Sequence, residues 1–134
     1  MDRRRTTSGS PFEEQFGFCR AIRVPCSGAN RIIVSGTGPI EDDGSTTAGG
    51  ASEQAARCCT LIVKAIEDLG GSAEDVVRTR MFLTDIDRQA EVGAVHARFF
   101  GEARPAATMV GVATLCRREW LVEIEAEAVV EALG

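Results

Sequence analysis

One histidine, His96, is all the imidazole that this 134-residue chain carries. That scarcity removes whole classes of chemistry. A lone histidine cannot build a zinc site without other ligands, and no histidine pair is available for ribonuclease work. The five cysteines, Cys19, Cys26, Cys58, Cys59 and Cys116, are odd in number and none forms a Cys-x-x-Cys pair. They are too sparse for a disulfide scaffold, so reduced thiols and a cytoplasmic location are expected. No apolar run approaches the length of a membrane helix, and no apolar stretch follows the basic start at Arg3, Arg4 and Arg5, so neither membrane insertion nor secretion is expected. Positive charge is in deficit. A formal net charge of −5 disfavours binding to nucleic acid or to an anionic membrane surface.

What is present is globular composition, 44% hydrophobic and 26% charged, in a chain long enough for one domain with a core. Residues 1–15 read as a loose polar tail, and residues 16–131 as a single domain. Residues 19–24 and 31–35 are short apolar runs around turn chemistry at 25–30, which predicts a hairpin. Ala55, Cys59, Ile62, Ile66 and Leu69 recur at helical spacing, with Ala56 and Val63 alongside. Ser52 is the expected N-cap, Glu53 suits the positive helix end, and Gly70 and Gly71 stop the helix. A strand over 76–84 would put Val77, Thr79, Met81 and Leu83 on one face, with Arg78, Arg80 and Phe82 on the other. Asp87 can cap a second helix to about residue 100, with Val92, Val95 and Phe99 inward. Strands over 108–112 and 120–130 complete the order β-β-α-β-α-β-β.

The last strand gives the fold class. Val122, Ile124, Ala126, Ala128 and Val130 share an apolar face, which two amphipathic helices can cover. This is an α+β architecture, a mixed sheet with two helices on one face. The opposite face carries Glu123, Glu125 and Glu127 near Arg78 and Arg80, and opposite charges on neighbouring strands can pair. Two readings of that face stand. A solvated outer face is the one that pattern alone favours, and a polar interface between subunits is the other.

Five stretches carry a resemblance through their order and spacing: Gly17-Phe18-Cys19-Arg20-Ala21, Ile33-Val34-Ser35-Gly36, Glu74-Asp75-Val76-Val77-Arg78-Thr79-Arg80, Arg104-Pro105-Ala106 and Val122-Glu123-Ile124-Glu125-Ala126. Over residues 16–131 the chain resembles the Rid (YjgF) family, also called endoribonuclease-like. The resemblance implies a chorismate-mutase-like fold and a homotrimer with small-molecule clefts between subunits. Many members hydrolyse reactive imines or enamines to carbonyl compounds, and no cofactor or metal is implied. Their substrate carboxylate is held by an arginine directly after Pro-Ala, through two parallel hydrogen bonds. Here that position is Ala107, so the chain is similar to a divergent subgroup without the clamp. Of the other positions, Phe18 matches an aromatic at the cleft entrance and Ser35 the serine of the second strand. Gly93 stands in the place of a helix asparagine, and Glu123 matches the glutamate that orients water. Cys19, Gly36, Thr108 and Met109 are the remaining expected neighbours of the ligand.

Glu123 is thus the acid–base candidate, weighed evenly against an ordinary partner of Arg78 or Arg80. The expected function is a small-molecule-binding trimer that hydrolyses or tautomerises an imine, enamine or small carbonyl compound. The alternatives are a non-catalytic metabolite-binding or regulatory trimer and, less favoured, a ribonuclease. Arg104 precedes a proline and is expected to be extended and at the surface. His96 is expected beside the helix–sheet packing, Cys116 in a loop near Arg117 and Arg118, and Cys58 and Cys59 in the core.

Overall fold

The computed structural model describes residues 2–132. In chain order these form strand β1 (Arg4–Thr6), helix α1 (Pro11–Phe16), strands β2 (Ala21–Cys26) and β3 (Ala29–Thr37), helix α2 (Ala51–Asp68), strand β4 (Val76–Leu83), helix α3 (Gln89–Phe100) and strands β5 (Ala106–Gly111) and β6 (Val122–Glu131). All six strands join one sheet in the order β1-β2-β3-β6-β4-β5. Only β4 and β5 run parallel, and α3 supplies the crossover that a parallel pair requires.

Alternation along β6 gives the sheet its inner face. Val122, Ile124, Ala126, Ala128 and Val130 are all buried, under Ala55, Cys59, Ile62 and Ile66 of α2 and Val92, Val95 and Phe100 of α3. Phe99, expected inward, is only half-buried, because the helix turns Phe100 into the core instead. Burial pushes the Cys58 thiol well up and the Cys59 thiol to about 12, so both are packing residues rather than nucleophiles.

Several local expectations are corrected. The segment read as a loose tail is not one. Arg4–Thr6 pairs antiparallel with β2, and Pro11–Phe16 is helical, with Ser10 as N-cap and Gly17 as a left-handed C-cap. Val77 does not face the core. A register shift between Val76 and Arg78 turns Val76 inward and leaves Val77 exposed. Helix α2 starts from Gly50 rather than Ser52, and Asp85, not Asp87, caps the turn that leads into α3. Arg104 is exposed as expected but not extended. Its φ of 51° is left-handed, and its N–H bonds to the Phe100 carbonyl at 2.9 Å, so it closes α3.

On the face away from α2 and α3, Arg31 pairs with Glu127 at 2.6 Å and Arg80 with Glu125 at 3.0 Å. Ile33, Val110 and Val129 are exposed among these charges. No helix of the described residues is long and apolar enough to cross a membrane.

Candidate functional site

The ladder between β3 and β6 breaks between Val34 and Thr37, which leaves Ser35 and Gly36 as irregular residues over the start of β6. Their place in the chain explains why glycine recurs here. A Cβ on Gly36 would stand 2.5 Å from Oε2 of Glu123, and one on Gly38 would lie 2.3–2.7 Å from three ring carbons of Trp120. The two glycines therefore make room for the two side chains that build this end of the sheet. A cavity of about 320 Å³ opens beside them. Ser35, Gly36, Arg20 and Glu123 give it polar lining, and Phe12, Phe16, Phe18, Trp120 and Cys116 line it as well. Adding a methyl group at Gly38 is expected to cost about 1–3 kcal/mol, because Trp120 is buried and braced. Its Nε1–H donates to Thr46 Oγ1 at 3.1 Å, and the adjoining Leu121 N–H donates to buried Gln54 at 2.7 Å. Denaturant unfolding of Gly38→Ala, with its tryptophan emission, checks this.

Glu123 sits half-buried where β6 begins. Burial pushes its carboxyl above the ordinary carboxylate range. Arg20 pulls it back and Glu125 pushes it further up. Ser35 Oγ–H donates to the Cys19 carbonyl at 2.8 Å, which leaves its lone pairs free to accept from a ligand. Arg20 is almost wholly buried. It donates to the Gly36 carbonyl at 2.7 Å, lies 3.8 Å from Glu13 and covers the Phe18 ring at 5.5 Å. Its Nε is buried without a hydrogen-bond partner. Glu13 is held in turn by Thr7 and Ser8. Arg20 is thus occupied by the protein itself and holds β3 against α1, rather than standing free as a carboxylate clamp.

Of the residues singled out in the sequence, the fold brings Phe18, Ser35, Gly36 and Glu123 to this cavity, and Cys116 as well. Cys19 is half-buried and lines, with Phe18, a separate depression near Arg5. Ala107, Thr108, Met109 and Gly93 lie elsewhere. The first three are on the edge strand β5, which β4 separates from β6. Ala107 lies opposite Thr79 and Met109 opposite Met81, both on the helix side of the sheet, whereas Thr108 pairs with Arg80 on the charged side. Gly93 is on α3, with open space where a Cβ would stand. One turn on, His96 Nε2 is 2.8 Å from Thr79 Oγ1, and burial lowers the pKa of its imidazole. The expected ligand set is therefore divided between two places on one chain.

Arg20, Phe12, Phe16 and Trp120 were not expected at the site. The signal for the wall formed by Phe12 and Phe16 lies in Ser10 and Pro11, an N-cap residue followed by the residue favoured at the first helical position. For Arg20 there is no local signal, because its burial comes from Glu13 and Gly36.

Residues 17–130 match the endoribonuclease L-PSP family. An uncharacterized protein of Streptomyces coelicolor is 36% identical over 125 residues, which is 93% of this chain and 90% of that protein. A RutC family protein of Pyrococcus abyssi is 34% identical over 83% of this chain and 84% of its own. Among solved structures, a Mycobacterium tuberculosis member of the YjgF/YER057c/UK114 family superposes with a TM-score of 0.84 at 40% identity, covering 96% of this chain and all of that one. A family match across nearly the whole domain, with a solved family member superposing over nearly all of it, leaves one conclusion: the chain belongs to the endoribonuclease L-PSP family, the YjgF or Rid family that its sequence resembles.

Proposed function

We propose that this protein hydrolyses a neutral imine or enamine to the corresponding carbonyl compound, with Glu123 as general base and acid. The observation that carries the reading is the half-buried Glu123 carboxyl, raised above its ordinary range, at the polar end of a ligand-sized cavity. A carboxyl with a pKa moved toward neutrality is suited to taking and returning a proton. In the proposed reaction Glu123 takes a proton from water as the water oxygen bonds to the carbon of the protonated C=N group. The same carboxyl then delivers that proton to nitrogen, takes up the hydroxyl proton as the C–N bond breaks and the carbonyl forms, and releases it to solvent as ammonia leaves. Nothing is oxidised or reduced. Ser35 Oγ orients the water or the nitrogen.

A substrate without a carboxylate suits this chain, because Ala107 has no donor beyond its backbone and Arg20 is engaged by Glu13 and Gly36. We further propose a cytoplasmic homotrimer. Head-to-tail association of identical chains joins two different patches into one seam. Here it would bring the β5 and α3 positions of one subunit, Gly93, Ala107, Thr108 and Met109, toward the Glu123 cavity of the next.

Imines released in situ by an amine oxidase from simple primary amines test the reading. Added protein is expected to speed aldehyde and ammonia release, with a rate that rises with pH through the raised Glu123 pKa, above the ordinary glutamate value of about 4.3. If no imine is hydrolysed faster while small carbonyl compounds still raise the melting temperature, the non-catalytic binding trimer replaces this reading.

A further inference from the structure

The chain has six phenylalanines, one tryptophan and no tyrosine. Four of those seven rings, Phe12, Phe16, Phe18 and Trp120, line the single cavity that Glu123 enters. Most of the chain's aromatic rings are thus gathered at one end of the sheet. Phe12 and Phe16 stack at 5.9 Å with their planes 11° apart, and Phe12 meets Trp120 edge-on at 6.0 Å. The rings thus present an L-shaped apolar wall, and Phe16 keeps 65% of its surface open to solvent.

An aromatic wall with a carboxylate at its end suggests an ammonium seated on the rings, but guanidiniums already hold those ring faces. Arg117 already covers Phe12 at 5.4 Å and Trp120 at 5.8 Å, fixed by a 2.6 Å bond to the Gly44 carbonyl. Arg20 covers Phe18 in the same way. These ring faces are already taken by guanidiniums, so what the rings have left to offer is apolar contact and stacking. A cavity of about 150 Å³ with apolar walls binds benzene. The space here, about 320 Å³, takes a phenyl-sized body plus a short chain that reaches Glu123.

We propose that this cavity selects a neutral ligand with a phenyl-sized apolar body, seated against Phe12, Phe16 and Trp120, whose C=N or C=O end lies at Ser35 and Glu123. The selectivity deepens the hydrolase reading and rests on it only for the reacting end. The role of α1 is then to supply the specificity wall. Trp120 is the chain's one tryptophan, so its emission reports on this cavity alone.

The test is a fluorescence titration of the whole protein with 4-phenyl-2-butanone and with 2-butanone, neutral ketones that differ by the ring. Saturable quenching is expected at a concentration at least about tenfold lower for the phenyl ketone, given the apolar area the ring buries. Phe16→Ala, at a mostly exposed position that should fold normally, is expected to shrink that ratio about threefold to tenfold. Equal midpoints, no saturable quenching by the phenyl ketone, or an unchanged ratio in Phe16→Ala overturns the proposal. Imines made by an amine oxidase from 2-phenylethylamine and from ethylamine separate the two claims. Hydrolysis of both at equal efficiency, without phenyl-selective binding, sinks the selectivity and leaves the hydrolase. Selective binding without turnover of either imine sinks the hydrolase and leaves the selectivity.

Discussion

Glu123→Gln is expected to lower kcat for imine hydrolysis by about 10²–10⁴-fold, the usual contribution of a positioned general acid–base, and to make the protein more stable at neutral pH. The two effects share one cause. Burial raises the folded-state pKa of Glu123, Arg20 opposes the rise and Glu125 adds to it. At low pH the carboxyl is protonated in both folded and unfolded chains and costs nothing. As pH rises through the unfolded value, the unfolded chain loses its proton first, so stability declines until the folded pKa is passed. Glutamine is close to the protonated form in shape and never ionises. Its melting-temperature gain over the native protein should therefore be absent in acid and appear above the ordinary glutamate range. Glu125→Gln is the contrast. Glu125 pairs with Arg80 at 3.0 Å, both partly exposed, so its loss should cost less than about 1 kcal/mol and leave the rate nearly intact. If Glu123→Gln is less stable than the native protein at neutral pH and hydrolyses as fast, Glu123 is an ordinary member of the charged face.

Which parts of this molecule could be read before folding follows from the range of the forces involved. Helix α2 and strand β6 were legible because their apolar periods are long and uninterrupted, and every inward residue named on β6 is buried. Glu123 was legible through the family resemblance and through its place in an alternating strand. Val76 and Val77 were not, because one register shift exchanges the faces of two like residues and leaves no mark in composition. Strand β1 was missed for a different reason. Arg4, Arg5 and Thr6 have no apolar alternation, and only the edge of β2 makes them a strand. Helix α1 did announce itself, in Ser10 and Pro11, but the basic and Ser/Gly-rich flank masked it. Read as a tail, the segment leaves Phe12 and Phe16 out of the cavity wall. The division of the expected ligand set is a consequence of topology. Ala107 follows Pro105 onto an edge strand, and its distance from Glu123 depends on β4 lying between them, which no local pattern encodes.

Arg23→Leu is expected to remove about 3–5 kcal/mol of folding stability, although Arg23 has no acidic side-chain partner among the described residues and lies away from the Glu123 cavity. Its side chain is buried on β2, where Nε donates to Asn30 Oδ1 at 2.8 Å, Nη1 to the Leu69 carbonyl at 2.7 Å and Nη2 to the Glu131 carbonyl at 3.0 Å. One guanidinium thereby ties the hairpin, the end of α2 and the end of β6. Hydrogen bonds to a charged group contribute about 1.5–3 kcal/mol each. The sum is an upper bound, since water can reach the exposed Glu131 end and leucine regains some apolar burial. The Leu69 bond matters most. It satisfies a carbonyl at the end of a helix and places positive charge at the negative end of the helix dipole. Gly70 is shaped around it, with a φ of 89° and a position where a Cβ would stand 2.9 Å from Nη1. Arg23→Lys should recover little, because an ammonium cannot reach three acceptors set out for a planar fork. Arg31→Ala, which breaks an exposed pair with Glu127, should cost under about 1 kcal/mol. Domains of this size have about 5–15 kcal/mol in total, so the Arg23→Leu midpoint in denaturant should fall far below that of Arg31→Ala. Equal midpoints would mean that water replaces the guanidinium at all three acceptors, and that burial of Arg23 contributes nothing to the fold.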